Sequence, residues 1–465
     1  MNQVPAAESL NRILSLEDCL KYADETRELI LTNGALSKIP DLLSQYYDYN
    51  SVCLIADENT FKAAGQRVKE ILEGAKVKIA GLHIFPGEPR LHAEYDHVIF
   101  LKGWISSLPG FPALVPVVVG SGTLNDLVKR TSHELNLPYL CAPTAASVDG
   151  FTPNGAALLL EGLKQTLPCP APRALAVDTE VISRSPAYLS SSGFGDLASK
   201  IIAGTDWIIA DKAGAFGAPE AHAINPVPWA MVQNGLMDAL YKSADAAKGD
   251  KEAVKTLFQS LAITGFAMQY MKNSRPVSGA EHMWSHIWEM EDLSINGVPV
   301  THGHKVTIGT LTATAFTEIF FADPKGPPVV SKTYRRPSRE ERRAEVSKAF
   351  GNSPAHDLVV GVSLDKLMDE KTTETVNQAF RDSWTEMRDK VLERLLPYRE
   401  LKNLLSRAGC PLKGEDIGLS RNEVIATSRR AQMMRNRFTI IDLAWNMGVF
   451  EEILGVIEKS DIYLR

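Results

Sequence analysis

Two short runs constrain this chain more than any others: Val52-Cys53-Leu54-Ile55-Ala56 and Val117-Val118-Val119-Gly120. Neither alternates apolar with polar residues, so each reads as a strand covered on both faces, the habit of parallel sheets with helices on either side. The surrounding sequence agrees. Further strands are expected over 28–34, 77–85, 97–101, 138–142 and 173–182. Helices are expected over 36–47 and 61–73, and over a stretch running to 136. Pro40 falls in a first helical turn and Pro116 at a strand entry, where a missing N–H is tolerated. Beyond about residue 190 the strand signals fade. Helical periodicity then covers 195–203, 229–246, 251–271, 281–290, 304–321, 373–396 and 429–437. The expectation is an α/β N-terminal domain with a parallel sheet over 1–185, followed by an all-α domain over 186–465.

The second run leads into Gly120-Ser121-Gly122-Thr123-Leu124-Asn125-Asp126. A buried strand, a glycine turn and a helix start can cradle a pyrophosphate, because the free N–H groups and the helix dipole favour negative charge. Asn125 replaces the third glycine of the GxGxxG pattern, and a tight turn without a ligand has an equal claim. The next strand ends in Pro143-Thr144-Ala145-Ala146-Ser147-Val148-Asp149-Gly150, small and hydroxylic residues where an open α/β sheet binds its ligands. Asp149 either faces a ligand there or faces water.

Composition closes several classes. With 465 residues, 45% hydrophobic and 23% charged, the chain suits a two-domain globular enzyme. A net charge of -6 gives no basic excess for nucleic acid. The five cysteines, Cys19, Cys53, Cys141, Cys169 and Cys410, form no CxxC pair, which argues against a zinc ribbon or a disulfide framework and fits a reducing compartment. No run approaches the ~18 apolar residues of a membrane span, and the first residues lack a signal-peptide pattern. No membrane partner and a cytoplasmic location are expected. The basic run Lys332, Arg335, Arg336, Arg339 reads as a solvated face.

Four of the ten histidines stand between Ser278 and Lys305. His282 and His286 are four residues apart, one turn apart on one helical face. The turn Ile295-Asn296-Gly297 then brings the chain to His302-Gly303-His304. Two imidazoles and a third returned by a loop can converge on a divalent metal. An acidic residue lies far upstream in another small-residue stretch, Ser190-Ser191-Ser192-Gly193-Phe194-Gly195-Asp196.

Taken in order, Asp57, GSGTLND (120–126), PTAASVDG (143–150), GFGDL (193–197), SGAEHMWSH (278–286) and HGHKV (302–306) resemble the sn-glycerol-1-phosphate dehydrogenase family. That family sits within the superfamily of iron-containing alcohol dehydrogenases, glycerol dehydrogenase and 3-dehydroquinate synthase. AGCPLKGEDIGLSRNE (408–423) and MRNRFTIIDLA (434–444) extend the likeness. The family's turn begins GGG where this chain has Gly120-Ser121-Gly122, and Pro153 stands where a serine is usual. Residues 325–385 match poorly and form a divergent segment.

The resemblance implies a Rossmann-like sheet and a dehydroquinate synthase-like helical domain. It implies NAD(H), with NADP(H) as the alternative, held by Asp57, Gly120, Gly122, Thr123, Leu124, Asn125, Asp126, Thr144, Ala145, Ala146 and Ser147. Asp57 follows an early strand, where a carboxylate accepts from the ribose hydroxyl and disfavours a 2′-phosphate. The resemblance also implies one divalent ion (zinc, nickel or iron) on Asp196, His282 and His302, with His304 as a competing ligand. His286 would relay a proton and Asp149 would bind a substrate hydroxyl. The implied reaction is reduction of dihydroxyacetone phosphate to sn-glycerol 1-phosphate, a step of phospholipid metabolism, by a homodimer or larger homo-oligomer. A polyol dehydrogenase and a dehydroquinate synthase-like lyase are the alternatives. Lys200, Lys305, Arg435 and Arg437 are the candidate phosphate donors.

Overall fold

A computed structural model describes residues 10–160, 163–328 and 335–465. They form two compact units that interleave along the chain: Met1–Leu197 with Ala230–Asn273, and Ala198–Trp229 with Ser274–Arg465.

The first unit is built on a parallel six-stranded sheet. Its strands are β1 (Glu28–Thr32), β2 (Ser51–Asp57), β3 (Ile79–Phe85), β4 (Leu114–Gly120), β5 (Leu140–Pro143) and β8 (Ala174–Asp178), in the order β1-β8-β5-β4-β2-β3. β4 is buried at all its positions and β2 at all but Asp57, so the unbroken apolar runs are explained by cover on both faces. Val52, Leu54, Val117 and Val119 form the core with Leu42, Leu43, Val68 and Leu72 from the flanking helices. The chain leaves β2 toward β3 on one side and β4 toward β5 on the other. The reversal lies between β2 and β4, and the crevice beyond their carboxyl ends is the ligand position of such sheets.

Three features of this unit depart from expectation. The predicted strand over 97–101 belongs to the helix Tyr95–Ser107. Val98, Leu101 and Ile105 bury one face of it while Ile99 and Phe100 stay exposed, so the apolar cluster followed helical spacing. An antiparallel hairpin, β6 (Ala156–Leu160) and β7 (Leu163–Leu167), was not anticipated. The predicted helix 251–271 is present as Lys251–Met271. The predicted helix 229–246 is split into Pro226–Gln233 and Leu236–Ser243, because the Asn234 amide between them donates to Leu10 O and Arg12 O.

The second unit is helical apart from a hairpin of two-residue strands, Ser294–Ile295 and Val298–Pro299. Asn296 (φ 53°) and Gly297 (φ 79°) form its turn, the left-handed pair that a two-residue hairpin demands. The predicted helix 373–396 breaks at Ser383 into Glu370–Asp382 and Trp384–Arg394. The predicted helical stretch 429–437 also stops early. The helix Arg421–Met433 ends there, and Arg435 adopts φ 51°. No helix among the described residues is long and apolar enough to cross a membrane.

Candidate nucleotide cradle and metal centre

In the first unit, β4 and β5 end side by side, with Gly120 opposite Pro143 and Thr144 N–H donating to Gly120 O (3.1 Å). That pairing brings the GSG turn against PTAASVDG. The helix Gly122–Glu134 starts without a side-chain cap, since Ser121 makes no capping hydrogen bond, so its first N–H groups face the crevice as a seat for an anion. Thr144, Ala145, Ala146 and Ser147 are buried alongside. Asn125 and Leu124 point into the fold. The Asn125 amide donates to Gly150 O (3.1 Å) and accepts from the Tyr139 hydroxyl (3.1 Å), and Asp126 accepts from Ala157 N–H (3.3 Å). Asp57 ends β2, and its Oδ1 caps the next turn by accepting from Thr60 N–H (2.7 Å).

The sequence reading missed Lys129 in this cradle. It is fully buried, and its ammonium donates to Gly150 O (2.9 Å), Pro153 O (3.0 Å) and Gly155 O (3.0 Å). All three N–H donors are used, which pins the loop after Asp149 to the helix that follows the GSG turn. Its position one turn after Asn125 was the only signal, and surface lysines share it.

Asp196 is buried on the helix Ala187–Ala198, and its Oδ2 accepts from Asp149 N–H (2.9 Å). The small residues before it have a steric reason. A Cβ on Gly193 would stand 2.0 Å from Ala146 O, and Ser192 Oγ donates to Ser147 O (3.2 Å). Only glycine lets the helix lie against the PTAASVDG loop.

In the second unit, His282 and His286 share a face of the helix Glu281–Met290, with ring centroids 6.0 Å apart. The Asn296-Gly297 hairpin turns the chain back, so that His302, first residue of the helix His302–Phe320, places its ring 5.4 Å from that of His282. Each ring is backed by a carboxylate that the sequence reading did not single out. Glu281 Oε1 lies 2.7 Å from His282 Nδ1, and Glu289 Oε1 lies 2.5 Å from His302 Nδ1. Carboxylates on Nδ1 leave Nε2 as the ligating lone pair, as behind metal-bound imidazoles. Burial, then the charges of Lys200, His302, His286 and Arg435, hold the His282 pKa well below its ordinary value, so the ring is neutral. Within this unit His282 and His302 thus bring two imidazoles together, a pair that suits a zinc-like ion. His304 is outside that pair, and burial lowers its pKa to about 4.

His286 is held differently. Its Nδ1 meets Glu289 Oε2 (3.1 Å) and its Nε2 meets an Arg435 guanidinium nitrogen (2.9 Å). Arginine only donates, so Nε2 accepts and Nδ1 carries the proton. Burial and Arg435 lower this pKa to about 4. Glu289 therefore serves two imidazoles at once, one oxygen each. Beyond His286, Arg435 reaches Ser278 Oγ (3.5 Å); among the described residues its contacts are a ring nitrogen and a hydroxyl, not a carboxylate.

A parallel sheet with a nucleotide crevice, followed by helices carrying a His-xxx-His pair, defines a metal-dependent dehydrogenase fold, and comparison with known proteins agrees. The iron-containing alcohol dehydrogenase family profile matches residues 30–186. The structure resembles an alcohol dehydrogenase from Oenococcus oeni (TM-score 0.58, 14% identity, 93% of this chain and 99% of that one). It also resembles glycerol dehydrogenase from Schizosaccharomyces pombe (TM-score 0.55, 15% identity, 98% and 95%). In sequence, glycerol-1-phosphate dehydrogenase (NAD(P)+) of Geobacillus thermodenitrificans is 26% identical over 440 residues, 93% of this chain and 97% of the relative. That of Halalkalibacterium halodurans is 30% identical over 297 residues, 63% of this chain and 70% of the relative. The chain belongs to the glycerol-1-phosphate dehydrogenase family.

Proposed function

We propose that this enzyme reduces dihydroxyacetone phosphate to sn-glycerol 1-phosphate, reversibly, with NADH favoured over NADPH and one divalent ion on Asp196, His282 and His302. The observation that carries the phosphate is Arg435, a cation beside His286 with no carboxylate partner among the described residues. A phosphorylated ketone supplies a direct anionic partner, whereas an unphosphorylated polyol leaves Arg435 only the more distant charges of Glu281 and Glu289.

The residues fit both groups. His282 and His302, each with a carboxylate at Nδ1, offer Nε2, and the uncapped helix start at Gly122 offers N–H groups to a pyrophosphate. When bound, the divalent ion supplies Lewis-acid polarisation of a carbonyl and the reduced nicotinamide supplies hydride. Asp57 meets the ribose hydroxyls with the oxygen that does not cap Thr60. Gly122, Thr123, Asp126, Thr144 and Ser147 hold the rest of the dinucleotide. Asp149 receives the substrate's far hydroxyl. Arg435 turns from His286 to the phosphate, which frees Nε2 to exchange a proton with the substrate oxygen, while Glu289 keeps the ring oriented through Nδ1. The same proposal has the enzyme working as a homo-oligomer in the cytoplasm, which light scattering and cell fractionation test.

The deciding experiment compares kcat/KM for dihydroxyacetone phosphate and dihydroxyacetone, with NADH and restored metal. One charge-assisted contact is worth about 1.5–3 kcal/mol, so a preference of roughly 10–100-fold for the phosphorylated ketone is expected. Equal use of both ketones overturns the proposal in favour of a polyol dehydrogenase. An sn-glycerol 3-phosphate product overturns its stereochemistry.

A further inference from the structure

Among the described residues the divergent segment 325–385 has no part in the metal centre, and its basic residues Arg335 and Arg339 are exposed, as the solvated-face reading expects, while Arg336 is half-buried. Arg335 is exposed and pairs with Glu341, and Lys332 lies outside the described residues. From that face Arg336 and Arg339 also donate to Met368 O and Leu364 O, closing the end of the helix His356–Asp365. This locks the next residue inward. Lys366 is buried, and its ammonium donates to Gln432 O (2.9 Å) and Met434 O (3.1 Å) and pairs with Asp442 (2.7 Å). From the helix Arg339–Phe350, Arg342 grips the same place. It donates to the Gln432 side chain and to Ser363 Oγ (2.8 Å), and lies 4.9 Å over the Trp445 ring.

The object gripped is the end of the helix Arg421–Met433. Its last carbonyls have no intrahelical partner, and a cation there is electrostatically favoured. Immediately beyond, Met434 is extended and Arg435 takes the left-handed φ of 51°, a conformation an arginine seldom adopts. That reversal sends the guanidinium onto His286. Asp442, the other partner of Lys366, caps the following turn by accepting from Thr439 N–H (3.0 Å), which fixes the segment from its far side.

We infer that Lys366 is a positioning residue for substrate recognition: it holds the 432–434 carbonyls so that Arg435 is presented beside His286. The divergent segment thereby acts on the anion-reading residue without touching substrate. The substrate part of this inference rests on the phosphate reading above; the positioning part does not.

The test uses full-length, metal-loaded Lys366→Met, Arg435→Ala and the double variant. Losing one charge-assisted contact predicts about a tenfold or greater rise, in Lys366→Met, in KM for dihydroxyacetone phosphate and in the inhibition constant of inorganic phosphate. KM for dihydroxyacetone should stay within about twofold, and adding Lys366→Met to Arg435→Ala should change nothing further. If the methionine variant does not fold, Lys366→Gln, which keeps a hydrogen-bonding side chain, carries the same comparison. A crystal structure of the folded variant should show Arg435 displaced from His286. Arg435 unmoved, wild-type phosphate inhibition, or a full Lys366 effect persisting on Arg435→Ala each overturn the inference. A wild type without phosphate preference, combined with a displaced Arg435, would instead overturn the phosphate reading and leave the positioning intact.

Discussion

Glu289→Gln should separate metal binding from stability, and the reason lies in proton positions. Glu289 is buried and accepts from His302 Nδ1 with one oxygen and from His286 Nδ1 with the other. His286 cannot change tautomer, because its Nε2 faces the donor-only Arg435. A glutamine must therefore turn its carbonyl to His286 and its amide NH2 to His302. The metal-free protein accommodates this at once: His302 moves its proton to Nε2 and accepts at Nδ1. Both contacts of residue 289 stay paired, a buried charge is gone, and metal-free stability should remain within about 1 kcal/mol of wild type. Metal binding needs His302 Nε2 unprotonated, and restoring that tautomer sets an N–H against an N–H. Losing the charge-assisted bond behind the ligand costs about 1.5–3 kcal/mol, or roughly 10–100-fold in affinity. Calorimetric titration of the stripped protein with Zn²⁺, beside its urea denaturation, measures both quantities. Wild-type zinc affinity, or a loss of metal-free stability as large as the loss of affinity, would refute the tautomer argument.

Asp57→Asn keeps the oxygen that caps Thr60 and removes the charge, so relative kcat/KM with NADPH should rise about tenfold or more; an unchanged ratio means that Asp57 does not read the ribose. Lys129→Met orphans three carbonyls and should cost on the order of 3 kcal/mol in urea denaturation, whereas a change below about 1 kcal/mol would show the loop to be held otherwise. The metal-free protein should also lose stability in acid. The folded-state pKa of His286 is depressed to about 4, so its contribution is complete above the unfolded value of ~6.5 and disappears as pH falls toward 4, on the order of 3 kcal/mol in all. His286→Asn should flatten that slope by about one proton, and parallel profiles for variant and wild type would contradict the assignment.

What the sequence disclosed follows from the range of each interaction. β2, β4 and the helices Lys251–Met271 and Glu281–Met290 announce themselves because burial pattern and periodicity are local. The spacing of His282 and His286 is local too, and the shared face was legible. Glu289 is a divided case. Its position three residues after His286 was readable as a helical neighbour, but its bond to His302 depends on a hairpin that reverses the chain. Lys129 and Lys366 were invisible for a different reason. Each is a lysine on an amphipathic helix or at its end, and only long-range packing shows that the ammonium points inward. The strand expected over 97–101 failed because four consecutive apolar residues fit either period, and burial of every third or fourth residue decided for helix.

The cations around His282 and His286 then have one explanation rather than two. A metal ligand must be a neutral imidazole, and Lys200 and Arg435 depress the His282 pKa by charge as well as burial does. Carboxylates alone would work against this, since Glu289 pulls the His286 pKa upward. The glutamates orient the rings, and the basic residues keep them unprotonated. On the proposed reading those basic groups are also the phosphate's counter-charges, so substrate arrival removes part of the field that kept His286 neutral. Its proton affinity should therefore rise when phosphate binds, at the moment a proton is needed for the developing alkoxide. Inorganic phosphate alone should raise the His286 pKa, read by NMR titration of its ring with the metal-free protein, and should do so much less in Arg435→Ala. A His286 pKa indifferent to phosphate in the wild type would break the link between substrate charge and proton supply.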